Sequence, residues 1–132
     1  MNAERLIEKA NEARAYAYVP YSDFAVGAAL LAKNGHVFTG CNIENGAYSP
    51  SICAERTAFS KAVSEGVREF EAIAIVGGPR DKEPDKICPP CGVCRQVMQE
   101  FCDPKTFMIY LSDGSRTVSY RLEELFPAGF VL

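Results

Sequence analysis

The chain has no tryptophan, only one histidine and no run of lysine or arginine. Nucleic-acid binders usually show a basic patch. Here 14 basic residues are scattered among 17 acidic ones, for a net charge of −3, so no nucleic-acid partner is expected. No stretch is long and apolar enough to span a bilayer, and no membrane partner is expected either. Glu4, Glu8 and Glu12 interrupt residues 1–19, which therefore lack the continuous apolar region of a secretory signal. The expected location is the cytoplasm. In a reducing compartment six cysteines argue for metal binding or reactivity rather than for three disulfides. Internal repeats, low-complexity segments and interdomain linkers are missing too. With 132 residues, 48% of them hydrophobic, the chain fits a single domain over 1–132 with an adequate core.

What is present is patterned. Ala3, Leu6, Ile7, Ala10, Ala13 and Ala17 recur at helical spacing and predict an amphipathic first helix, ended by Pro20 and Ser22. Apolar runs at 26–32 and 37–39 flank Asn34-Gly35, the strongest short hairpin signal. A polar loop covers 42–50. Pro50 suits a first helical position after Ser49, so a second helix is expected over about 51–64, stopped at Gly66. Residues 72–76 read as a buried strand, 77–90 as a loop, and 91–102 as a third helix. A strand over 106–111, a turn at Asp113-Gly114, a short strand over 117–120 and a last helix over 122–126 follow. This order predicts an α/β fold: one three-layer α/β/α domain with a mixed five-stranded sheet. Right-handed crossovers would start the two middle helices at the same edge of that sheet.

Both of those helix starts carry cysteine: Cys53-Ala54-Glu55, and Pro90-Cys91-Gly92-Val93-Cys94. Cys91 and Cys94, three apart in a turn that opens a helix, can both reach one metal at about 2.3 Å. Gly92 reads as the residue that lets the backbone bend there. Helix N-termini favour thiolate over thiol. Zinc held by Cys53, Cys91 and Cys94 alone keeps a fourth position open, as catalytic zinc does and structural zinc does not. Glu55 can then approach a water in that position without binding the metal. Three thiolates leave Zn²⁺ with excess negative charge, and Arg56, on the same face as Cys53, would withdraw part of it.

An alternative stands beside this reading. Cys88 is spaced from Cys91 as Cys91 is from Cys94, and a fourth sulfur would make a closed, non-catalytic structural zinc domain. Cys41 and Cys102 are further candidates. On the residues alone, Phe24, placed just ahead of a strand, reads equally well as core. Asn42 and Glu44 read as solvated loop residues, and His36 as a surface residue after the hairpin turn.

Four segments together resemble the small homotetrameric cytidine deaminases, in their three-cysteine zinc branch, along nearly the whole chain. They are Phe24-Ala25-Val26-Gly27-Ala28-Ala29-Leu30, Asn42-Ile43-Glu44-Asn45, Cys53-Ala54-Glu55 and Pro90-Cys91-Gly92-Val93-Cys94-Arg95-Gln96. The resemblance implies one zinc ion per subunit. It implies hydrolytic deamination of cytidine and deoxycytidine to uridine and deoxyuridine with release of ammonia, in pyrimidine salvage. Glu55 would carry protons from water to ring nitrogen 3 and to the leaving ammonia. Asn42 and Glu44 match ribose-binding positions, Phe24 would lie against the base, and the backbone at Ala54 would read the pyrimidine edge. Tyr48 and Phe130 match positions that complete a neighbouring subunit's pocket in a homotetramer. A related aminopyrimidine nucleoside, such as a blasticidin-type antibiotic, is the alternative substrate.

Overall fold

Alternation of side chains along two central strands builds the molecule. In the computed structural model, which describes residues 1–132, β1 (Phe24–Ala32) and β3 (Phe70–Pro79) pair antiparallel along almost their full length. Successive residues of a strand face opposite sides of a sheet. Ala28, Leu30, Ala32, Ile73 and Ile75 therefore enter one buried cluster, while Ala29, Leu31, Ala72, Ala74 and Val76 enter another. The first is covered by α2 (Ala54–Ser64), α3 (Gly92–Phe101) and α4 (Leu122–Leu125), the second by α1 (Ala3–Ala13). This is the expected α/β/α arrangement.

The sheet has five strands in the order β2-β1-β3-β4-β5, with β2 (Val37–Cys41), β4 (Met108–Ser112) and β5 (Thr117–Arg121) joining the central pair. Only β3 and β4 are parallel neighbours. The sheet is mixed, as expected. The β1–β2 hairpin turns at Asn34-Gly35: Gly35 takes φ +93° and the Asn34 side-chain oxygen accepts from the His36 N–H. Because β2 and β3 are each antiparallel to β1, they run the same way. The helices that follow them start from one edge of the sheet. No helix is long and apolar enough to cross a membrane.

Three boundaries differ from expectation. The first helix ends at Ala13 rather than near Ala17; Arg14–Tyr16 tighten into a 3₁₀ turn and Ala17 is extended. This frees Tyr18 to bridge Ile43. The second helix begins at Ala54, and Pro50 is not its first residue. Ile52 exchanges two backbone hydrogen bonds with Ile43, each of 3.0 Å, which holds it extended and delays the helix until after Cys53. Phe24 is the first residue of β1 and is not ahead of it.

The N-terminal turn of α2 lies close against β2 at Gly40. A Cβ at that position would sit 2.4 Å from the Ala54 carbonyl oxygen and 2.6 Å from the Thr57–Ala58 amide nitrogen, carried by Ala58. Backbone on backbone has no rotamer to yield, so a methyl group there must push the helix start off the sheet. Gly40→Ala is expected to lower stability by on the order of 3 kcal/mol, measured as a shift in the midpoint of urea unfolding. An unchanged midpoint would show that α2 is not held by this approach.

Candidate metal centre and cleft

Cys53 and Cys91 occupy equivalent places. Each is the extended residue that caps a helix, with its carbonyl accepting the first intrahelical bond: from Thr57 N–H at 3.1 Å and from Arg95 N–H at 3.0 Å. Cys94 follows in the first turn of α3 and is buried. The Cys53 and Cys91 sulfurs are 3.9 Å apart, the Cys91 and Cys94 sulfurs 3.6 Å, and all three lie within 4.8 Å of one another. Sulfurs bound tetrahedrally to one zinc at about 2.3 Å stand about 3.8 Å apart. All six cysteines are free thiols. The donor set thus fits a single zinc ion held by three sulfurs. Gly92 does not act as expected: its φ is not positive and a Cβ there would meet nothing within 4 Å, so no close approach calls for glycine.

Cys88 lies outside this cluster. It lines the same cleft, but its sulfur turns toward Gly77, 2.8 Å from where a Cβ on that residue would stand. Burial, first, and the nearby Glu55 charge push its thiol up to about 11. The fourth sulfur that a closed site requires is not in the group. Cys41 and Cys102 are likewise not part of it.

The ligand sulfurs are electrostatically unequal. A hydrogen bond with Cys94, helped by contact with Arg56 and Cys91, pulls the Cys53 thiol down to about 5. Cys94, on the other side of that hydrogen bond, is raised. Arg56 directs one terminal nitrogen to the Cys53 sulfur at 3.7 Å, while its Nε is buried with no partner. Charge withdrawal from Cys53 is thus within reach of the guanidinium.

Glu55 is 4% exposed, and burial raises its carboxyl to about 7. A carboxyl held there can both accept and release a proton near neutral pH. It lines a cleft of about 130 Å³ together with Val26, Asn42, Cys53, Ala54, Cys88, Pro89 and Cys91. Asn42 is tied to β1 at both ends of its amide: Oδ1 accepts from Val26 N–H and Nδ2 donates to the Phe24 carbonyl, each at 2.9 Å.

Other expected site residues stand away from the cleft lining. Phe24 is 40% exposed, with its ring edge over Gly77. The Glu44 carboxylate accepts from the Tyr21 and Ser22 amides at 3.0 and 3.1 Å; the Ser22 side chain, first, and these amides lower its pKa. Tyr48, at φ +63°, and Phe130 project into solvent, and the Phe130 carbonyl accepts from Gln96. Val26, Cys88 and Pro89 line the cleft without having been singled out as substrate contacts. Val26 could have been found from its position two residues beyond Phe24, on the same strand face. Pro89 has no such signal.

Residues 1–110 match the family model described as the cytidine and deoxycytidylate deaminase zinc-binding region. A cytidine deaminase of Halalkalibacterium halodurans is 48% identical over 132 aligned residues, covering 98% of this chain and 95% of that protein. One from Sporosarcina psychrophila is 53% identical over 113 residues, 86% of this chain and 79% of its own. The crystal structure of cytidine deaminase from Burkholderia pseudomallei superposes with a TM-score of 0.89 at 44% identity, covering 98% of this chain and all of the other. Motif, backbone and sulfur geometry lead to one place: the chain belongs to the zinc-binding cytidine and deoxycytidylate deaminase family.

Proposed function

We propose that the chain is a zinc-dependent hydrolase that converts cytidine and deoxycytidine to uridine and deoxyuridine with release of ammonia, in pyrimidine salvage. The observation that carries this reading is a buried carboxyl, Glu55, lining one cleft with two of three sulfurs spaced for a single zinc. The chemistry that zinc supplies when bound is Lewis acidity, which brings the pKa of water from 15.7 down to roughly 7. Cys53, Cys91 and Cys94 hold the ion. Glu55 takes a proton from the water that adds to carbon 4 of the pyrimidine and gives one to ring nitrogen 3. It then takes the proton of the new carbon-4 hydroxyl and passes it to the amino nitrogen; the carbon–nitrogen bond breaks, the carbon–oxygen bond becomes a carbonyl, and ammonia leaves. Arg56 draws charge from the Cys53 sulfur.

The ring would enter along Val26, with its edge against the Ala54 backbone. Asn42 keeps one amide hydrogen and part of its oxygen free after its two bonds to β1, enough to meet a ribose hydroxyl. This favours a ribosyl substrate over a blasticidin-type one. Glu44 and Phe24 border the same end of the molecule and would close on the sugar and the base.

A homotetramer completes the site. Small-molecule pockets usually enclose about 300–1,000 Å³, more than the cleft of about 130 Å³ in one chain. Tyr48 and Phe130 are 80% and 66% exposed, as residues donated to a neighbour's pocket would be. Six free cysteines suit a reducing cytoplasm.

Incubation with cytidine should abolish its absorbance band as uridine forms. Glu55→Gln should retain one zinc per chain by elemental analysis and lose about 10²–10⁴-fold in kcat; near-normal turnover would remove Glu55 from the chemistry. For Arg56→Ala, activity or resistance to a chelator should fall about 10–100-fold, and no change in either would leave the guanidinium without a role. Sedimentation should give four chains per particle, and a fully active monomer would sink the shared-pocket reading.

A further inference from the structure

Arg14 is the one basic side chain buried in the protein, at 8% exposure, and no carboxylate lies within ion-pair distance of it. A guanidinium taken out of water without a counter-charge is costly unless its hydrogens find acceptors. Four of its five do. Nε donates to the Ala25 carbonyl at 2.9 Å and Nη1 to Asn11 Oδ1 at 3.1 Å; Nη2 donates to the Pro79 and Lys82 carbonyls at 2.9 and 3.1 Å. Three of these acceptors are backbone, from two segments far apart in sequence.

Both segments lead to residues that line the cleft. Ala25 lies between Phe24 and Val26, whose backbone groups hold the Asn42 amide from the other side. Residues 24–26 are thus gripped between Arg14 and Asn42, and Val26 and Asn42 both line the cleft. Pro79 and Lys82 open the loop that runs on to Cys88 and Pro89, which also line the cleft. The remaining lining residues, Cys53, Ala54, Glu55 and Cys91, come instead from the starts of α2 and α3, to which Arg14 makes no hydrogen bond.

We infer that Arg14 is a positioning residue that holds the start of the 80–90 loop against the beginning of β1, and so governs nucleoside binding while leaving the metal and the proton-carrying carboxyl alone. The inference rests on the deaminase reading for its substrate, but the clamp itself does not. The β1–β3 ladder pairs Phe24 with Pro79 and Ala25 with Gly78, and Asp23 accepts from the Arg80 amide at 2.9 Å, so the two strand ends are already joined as far as residue 80. What the Arg14 fork adds is the bond to the Lys82 carbonyl, which ties the chain beyond the ladder to Ala25.

The experiment compares Arg14→Gln and Arg14→Lys with the wild type. KM for cytidine should rise on the order of tenfold in Arg14→Gln, the scale of one lost charge-assisted hydrogen bond. kcat should stay within about twofold and zinc content at one per chain, with Arg14→Lys intermediate. Amide exchange should quicken at 24–27 and 79–90 and stay slow in α3 and β4. An unchanged KM, a parallel fall in kcat with exchange quickened throughout the sheet, or failure of both variants to fold would overturn the inference. A wild type that leaves cytidine untouched, with exchange in Arg14→Gln still confined to those two segments, would sink the deaminase reading and leave the clamp standing.

Discussion

The direction of β2 and β3 is the constraint on which the site depends. Both are antiparallel to β1, which lies between them, so both point their C-terminal ends to one edge of the sheet. The helices that follow begin there, and their first residues meet. Were one of these strands reversed, Cys53 and Cys91 would be separated by the length of a five-residue strand, roughly 17 Å. No choice of rotamer could then gather three sulfurs. The core enforces this direction, because Leu30 and Ile73 on one face and Leu31 and Ala72 on the other are buried only in the observed register.

At the meeting point, charge is managed by position. Two helix N-termini present their partial positive ends to the sulfurs, and Arg56 adds a full positive charge beside one of them. Glu55 is placed in the same first turn as its neighbouring ligand but is buried, so its carboxyl is kept from being a simple solvated anion.

Much of this was legible in the sequence, for definite reasons. The α/β order follows from periodicity, and the grouping of the Cys53, Cys91 and Cys94 sulfurs from their spacing. Both signals are local. What was not legible depended on distant partners. Ile52 would be free to join a helix behind Pro50 but for its bonds to Ile43. Cys88 matches the spacing of a ligand, yet its sulfur is drawn under β3 by the missing side chain at Gly77. Gly92 looked like a bend and is an ordinary helical residue with open space around it. Arg14 sits in a sequence of helical periodicity, where a basic residue reads as solvent-facing, and only the folded chain brings three carbonyls to it.

Asn42 gives the binding surface an unusual kind of stiffness. Its amide completes the hydrogen-bond ladder of β1 as a backbone peptide would, taking one N–H and one carbonyl from alternate residues. A polar side chain at a cleft edge ordinarily samples several rotamers and loses that freedom when a ligand arrives. Here the loss is incurred as the sheet forms. The remaining amide hydrogen is thus presented to the cleft by a donor already immobile, its entropy cost settled during folding.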